Sequence, residues 1–384
     1  MVKLAQHQDI PSPLQPSAFS LQPFLSLLAP LAGLGVALGA AALALKLSGT
    51  PPLAATRYAL SRGLGSSLGV ANVLHEASQL MFPALAVAFG FQAGLFNIGA
   101  EGQLYMASFA VAAAALALEG WAPGMAFPLL FLAAAGAGAA WALLPGLLKA
   151  YRGAHEVIAT IMLNFVAFAT VNIFMRPGSP LILEGTAQTK PIPEGFRLPL
   201  FADWQGWESL EGSRLNGAIL IAAAALIWYW FFLWRTRSGL AFRAVGANPK
   251  AAEAAGIEPK RRIVAAMAIS GALAGLLALD EVLGQRGSFG EDSAKGLGYA
   301  AIAVALLGRG HPLGILAAAL FFGFLNHAGL LLQIGFRDAD GIKRQAPREI
   351  VDAIQALVIL AAAASPAMAE RVRLTLAKKR LRGG

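Results

Sequence analysis

Apolar runs long enough to cross a bilayer recur along this chain, and they leave few folds open. A membrane-spanning helix needs about 20 mostly apolar residues. Hydrocarbon also forces every backbone N–H and C=O to find a partner inside the protein. The candidate segments are Phe24–Leu47, Gln79–Ala93, Leu104–Leu118, Met125–Leu148, Glu156–Met175, Gly217–Trp234, Ile263–Leu283, Gly298–Gly308, Leu313–Ile334 and Ile350–Met368. Gln79–Ala93 is short, and Gly298–Gly308 is about half the required length. Only 13% of the 384 residues are charged, against about 25% in soluble domains. The expected fold is an all-α polytopic membrane protein of about ten transmembrane helices, short or broken ones included. Eight crossings with the two short segments re-entrant fit nearly as well.

Charge sets the orientation. The loop Arg235–Arg262 carries a net +5, as does the tail Glu370–Gly384, whereas the long connection Pro177–Asn216 carries −2. Lys149 and Arg152 lie in the short loop between the fourth and fifth segments. Positive loops stay in the cytoplasm, which predicts that both termini are cytoplasmic. The expected organisation is a polar tail over residues 1–23, one membrane domain over 24–368 and a basic tail over 369–384. The first tail lacks a positive region running into a short apolar core, so no cleaved signal peptide is expected. The net charge of +9 is spread in clusters beside apolar segments, and no recognition module for nucleic acid accompanies it.

Two stretches interrupt the helical pattern. Gly94–Gln103, GLFNIGAEGQ, puts three glycines, an asparagine and a carboxylate between the second and third segments. Non-helical backbone at membrane depth is tolerated where it is buried in protein or lines a water-filled path, and a carboxylate there is functional or paired by default. Phe96, Asn97, Glu101 and Gln103 are therefore candidates for a substrate pathway. If the second segment simply ends early, Glu101 reaches the cytoplasmic headgroups instead. The second interruption, Gly284–Gly298, holds Gln285, Arg286, Glu291, Asp292 and Lys295 ahead of the half-length segment. It reads either as a path-lining loop with a half-helix or as an ordinary external loop. Asn164 in the fifth segment reads as an interhelical linker or as a further ligand contact. His75 and Glu76 read as a solvated or interfacial pair. Trp228, Trp230 and Trp234 ahead of Arg235 and Arg237 read as an interfacial anchor.

The basic loop contains a complete short-helix grammar. Asn248 is a good N-cap, Pro249 suits the first helical position, Lys250 to Ala255 are good helix formers, and Gly256 supplies a left-handed stop. A helix of about two turns is not stable alone in water, so it should pack on something. A small, alanine-rich peg on the cytoplasmic side suggests a docking element for a partner.

Chemistry is excluded more than indicated. The chain has no cysteine, which rules out disulfides and thiolate ligands. It has no phosphate-binding glycine loop ending in Lys-Ser or Lys-Thr, and no G-x-S-x-G or H-E-x-x-H. Any ATP that energises transport must be hydrolysed by another subunit.

Five stretches, GLFNIGAEGQ, KAYRGAHEVIATIMLN (149–164), RAVGANPKAAEAAGI (243–257), GYAAIAVALLGRGHPLG (298–314) and EIVDAIQALVIL (349–360), resemble permease subunits of ATP-binding-cassette importers. The superfamily is that of the ribose and branched-chain amino-acid permeases, and the resemblance is to its nucleoside branch. That resemblance implies a second related permease, a separate ATP-binding-cassette ATPase that binds the nucleotide, and an external lipoprotein that delivers the substrate. It implies no cofactor in this chain and no metal. It makes Asn248–Gly256 the coupling helix, with Arg243, Asn248, Pro249, Lys250, Glu253 and Gly256 facing the ATPase. The implied cargo is a nucleoside, with ribose or another simple sugar as the alternative. The implied location is a prokaryotic plasma membrane. An ion-coupled secondary transporter would also show broken helices, and a membrane scaffold would need neither ATP nor an ion gradient. The cytoplasmic peg favours the importer.

Overall fold

The computed structural model describes residues 39–293, 296–337 and 340–347, together with residues 35, 349, 350, 352–357 and 360. Most of the Ile350–Met368 segment, more than half of Phe24–Leu47, both tails and Lys295 lie outside the described residues. The helices are α1 (Pro52–Gly63), α2 (Ser67–Gln92), α3 (Ala100–Ala117), α4 (Pro123–Arg152), α5 (Glu156–Phe174) and α6 (Ala218–Arg235). They continue with α7 (Arg237–Ala247), α8 (Pro249–Ala254), α9 (Pro259–Gly275), α10 (Leu297–Leu307) and α11 (Pro312–Ile334). A π-helical stretch, Leu279–Arg286, extends α9. After α11 a two-stranded antiparallel pair, β1 (Phe336–Arg337) and β2 (Lys343–Arg344), joins Phe336 to Arg344. Among the described residues, five helices are long and apolar enough to cross a membrane: α4, α5, α6, α9 with its π extension, and α11.

The centre of the bundle is α2. Every residue from Ala77 to Gly90 is buried. The helix starts twelve positions before the expected Gln79, because Ser66 caps it by accepting the Gly69 N–H at 3.1 Å. Hydropathy underestimates its length because Asn72, His75 and Glu76 interrupt the apolar pattern, and these are half-buried or buried against protein. His75 is only 2% exposed, which corrects the reading of a solvated or interfacial pair.

Around α2, small residues bring backbones together. Along α4, Ala134, Gly138, Ala142 and Gly146 recur every fourth residue and meet Met267, Gly271 and Gly275 of α9. A Cβ on Gly138 would run into the Gly271 carbonyl, and one on Gly271 would run into that of Gly138. This is the close small-residue packing expected of membrane helices.

The Pro177–Asn216 connection lies at the end of α6 opposite the basic loop and is laid along the end of the π-helical stretch. Thr189 donates its N–H to the Phe289 carbonyl at 2.8 Å, Ile192 to Gly287 at 2.8 Å and Leu198 to Leu283 at 2.9 Å.

Candidate functional site

At the basic end, the sequence grammar of the peg is realised atom by atom. Asn248 is the N-cap of α8 and accepts the Ala251 N–H at 3.1 Å; Pro249 occupies the first turn. Gly256 has φ +80°. Ile257 N–H donates to the Ala252 carbonyl at 3.0 Å and Gly256 N–H to Glu253 at 2.9 Å, the paired bonds of a Schellman stop. Only Ala252 of α8 is buried; Pro249, Lys250, Glu253 and Gly256 are exposed. Sequence reasoning missed α7. Thr236 caps it by accepting the Gly239 N–H at 3.0 Å, and its two internal glycines, poor helix formers, hid it. Those glycines serve contact. A Cβ on Gly239 would overlap the Phe232 carbonyl, and one on Gly246 would overlap the Gln92 carbonyl.

Gly246 thus ties the peg to the first interruption. It meets Gly94, whose φ is +72° and whose own Cβ would sit 3.0 Å from the Gly246 Cα. Arg243 of α7 stands 6.0 Å from the Trp234 ring centre. The two features singled out separately in the sequence are in backbone contact.

Beyond Gly94 the chain forms a buried polar knot. Asn97 is fully buried; its Nδ2 donates to Ser270 Oγ of α9 at 2.8 Å and to Gln103 Oε1 at 3.0 Å. Its Oδ1 accepts the Gly99 N–H at 2.9 Å and Gln103 Nε2 at 3.1 Å. Ser270 Oγ in turn donates to the Ala86 carbonyl of α2 at 2.6 Å. Glu101, 4% exposed, accepts the N–H groups of Gly296 at 2.5 Å and Gly298 at 2.8 Å. Its carboxylate therefore holds the N-terminus of the half-helix α10, where the helix dipole favours an anion. Asn164 accepts the Gly102 N–H at 2.9 Å and donates to the Ile98 carbonyl at 3.0 Å and Tyr299 Oη at 3.1 Å, the geometry of an interhelical linker. Phe96, half-buried, packs on Phe91 at 5.1 Å between ring centres. In this conformation the polar atoms of the knot are engaged with protein, and Glu101 does not reach headgroups.

The second interruption builds a cavity of about 660 Å³. Glu76 and Gln79 of α2, Arg197 and Arg214 of the long connection, Glu281, Gln285 and Arg286 of the π-helical stretch, and Asn326 of α11 line it. Arg286 Nε bonds Glu281 Oε1 at 2.7 Å and its Nη1 bonds Asp292 at 3.1 Å. Arg197 Nη2 donates to the Gln285 carbonyl at 3.2 Å. Behind the cavity wall Asp280 is fully buried. It accepts Gln79 Nε2 at 2.9 Å, Gln285 Nε2 at 3.1 Å and Asn216 Nδ2 at 2.6 Å, with His75 Nδ1 4.0 Å away. The sequence pointed to Gln285, Arg286 and Asp292. It did not point to Gln79, Asn216 or Asp280, whose partners are distant in the chain and whose π-helical register no local pattern announces. Among the described residues no group of three His, Cys, Asp or Glu side chains could hold a metal.

Comparison with known proteins identifies the family. Residues 69–363 match the family model of the branched-chain amino acid transport system / permease component. The guanosine ABC transporter permease protein NupP of Bacillus subtilis is 34% identical over 93% of this chain and 97% of its own length. The glucose ABC transporter permease protein TsgB13 of Haloferax volcanii is 35% identical over 88% of this chain and 85% of its own. The nucleoside ABC transporter permease protein NupB of Lactococcus lactis is 34% identical over 77% and 79%. No solved structure matches the chain. A polytopic helical body, a capped peg in contact with a broken span, and family and relatives that run through nearly all of both place this chain in the branched-chain amino acid transport system permease family of ABC transporters.

Proposed function

We propose that this chain is the membrane subunit of an ATP-driven importer of nucleosides, purine nucleosides first, in a prokaryotic plasma membrane. The observation that carries the reading is α8: a capped peg, exposed except at Ala252, whose hairpin rests through Gly246 on the Gly94 turn. A separate ATP-binding-cassette ATPase seats on Arg243, Asn248, Pro249, Lys250, Glu253 and Gly256. ATP binds one arrangement of that ATPase better than the other, and the differential moves the equilibrium of the bundle. The proposed bundle has about ten crossings with both termini cytoplasmic, an assignment that the charge of its loops supports. On this assignment the π-helical cavity opens on the outer side, where an external binding lipoprotein releases its cargo. The path then runs inward past Phe96, Asn97, Glu101, Gln103 and Asn164, whose knot loosens when the hairpin moves. A second related permease completes the assembly. Two guanosine permease proteins of Bacillus subtilis, NupP and NupQ, both resemble this chain, at 34% and 31% identity, which supports a paired arrangement. The similarity to the glucose permease TsgB13 keeps a simple sugar as the second reading.

The test is reconstitution with the co-expressed ATPase and permease partner, followed by uptake of labelled guanosine, ribose and glucose. Guanosine uptake that needs ATP and survives collapse of ion gradients is expected. Uptake that follows an ion gradient and ignores ATP depletion would return the chain to the secondary transporters.

A further inference from the structure

The cavity lining raises a question of polarity: which end of each glutamine amide faces the substrate. Gln79 and Gln285 both line the cavity, and both give Nε2 to Asp280 Oδ2, at 2.9 and 3.1 Å. Gln285 Nε2 also lies 3.4 Å from Glu281 Oε2. A carboxylate only accepts hydrogen bonds, so the NH₂ ends must point back into the wall. The carbonyl ends are left for the cavity, and among the described residues neither Oε1 is a buried atom without a partner. Asp280 itself cannot slacken. Its other oxygen takes Asn216 Nδ2 at 2.6 Å, and Asn216 is pinned because its Oδ1 accepts the Ala218 N–H at 2.9 Å.

We infer that Asp280 is a positioning residue that turns Gln79 and Gln285 into a pair of carbonyl acceptors for the hydroxyl groups of a polyol, so that the cavity reads the sugar half of its substrate. The inference rests on the cavity being the substrate path. It deepens the nucleoside reading, because a nucleoside and a free sugar share adjacent hydroxyls. The carboxylates of the same wall are engaged with protein: Glu281 holds Arg286 at 2.7 Å, and Glu76 accepts Asn326 Nδ2 at 3.3 Å. Two fixed carbonyl acceptors discriminate against a ligand that lacks the matching donors, because their oxygens are then stripped of water without a partner.

The consequence of replacing Asp280 by asparagine follows from the same geometry. Asn216 keeps the oxygen of the new side chain, so the new NH₂ faces the two glutamines. They must rotate, presenting carbonyls to the wall and NH₂ groups to the cavity. In Asp280→Asn/Gln285→Glu, the carboxylate at 285 accepts the new NH₂ with one oxygen and restores an acceptor to the cavity with the other.

The experiment uses the assembled transporter in proteoliposomes, with guanosine against 2′,3′-dideoxyguanosine and D-glucose against 2-deoxyglucose as probes. The wild type should prefer the fully hydroxylated member of the transported pair by at least tenfold in kcat/KM. Asp280→Asn should reduce that preference at least tenfold, chiefly through KM, and the double variant should recover most of it. Gln79→Met, which leaves Asp280 its bonds to Asn216 and Gln285, should weaken the preference without altering assembly, and it serves if Asp280→Asn does not assemble. Equal transport of both members by the wild type overturns the inference while leaving the importer reading intact. An unchanged preference in both Asp280→Asn and Gln79→Met overturns it as well. Absence of ATP-dependent uptake of every probe overturns the nucleoside and sugar readings together with it. Which pair is transported separates the two sources of the hydroxyls.

Discussion

Gly246→Ala isolates the contact between the peg and the broken span. A Cβ at position 246 would lie 2.8 Å from the Gly94 nitrogen and 2.9 Å from the Ala93 carbonyl carbon, and it would overlap the Gln92 carbonyl oxygen. Comfortable separation between such atoms is about 3.5 Å, so α7 must retreat by roughly 1 Å, the shortfall at the Gln92 oxygen. All three obstructing atoms are backbone, so no rotamer change relieves them. Overpacking of this kind costs about 1–3 kcal/mol, equivalent to about 5- to 150-fold in the population of the docked hairpin at 1.4 kcal/mol per tenfold. Neither the capped peg nor its exposed face is touched, so ATPase binding and hydrolysis should continue. Uptake per ATP hydrolysed should fall at least about fivefold, in line with that loss of population. The assay measures labelled guanosine uptake and phosphate release in the same proteoliposomes, with assembly checked by size-exclusion chromatography. An unchanged ratio in a fully assembled Gly246→Ala transporter would show that force does not pass through this contact.

Other perturbations separate the remaining roles. Gly256 has open space around it but a positive φ, so Gly256→Val should strain the stop by about 1–2 kcal/mol and uncouple hydrolysis from uptake. Gly256→Asn, which tolerates that conformation, should retain most uptake; equal loss in both would remove the backbone argument. Glu101→Gln keeps one amide acceptor for Gly296 and Gly298 and turns the other end into a donor. The loss should lower stability by about 1.5–3 kcal/mol, read as thermal unfolding in detergent, and should slow uptake through the freed half-helix. Gly138→Leu should prevent assembly, because the Gly271 backbone occupies the required space; a folded, active Gly138→Leu transporter would contradict the described seam.

The sequence disclosed what depends on neighbours in the chain and concealed what depends on partners far from it. Asn248, Pro249 and Gly256 cap a helix through bonds spanning a few residues, so their pattern was readable as written. The fourth segment's small residues announced tight packing, though not its partner α9. The start of α2 was hidden because Asn72, His75 and Glu76 break its apolar pattern, and the protein contacts that half-bury or bury them cannot be read from neighbours in the chain. Asp280 was hidden because its meaning lies in Gln79 and Asn216, 201 and 64 positions away. Glu101 stood out as a carboxylate needing a partner or a function, but its partners, the amides of Gly296 and Gly298, could be found only in three dimensions.

The seam between α4 and α9 limits how the protein can work. Two backbones meshed at Gly138 and Gly271 have no side chains to re-pack, so they cannot slide past each other by small steps. In the proposed importer the pair would serve as a stator. The rocking that an importer needs would then fall on seams filled by longer, softer side chains, such as that between Phe89 of α2 and the Trp228 and Phe232 rings of α6.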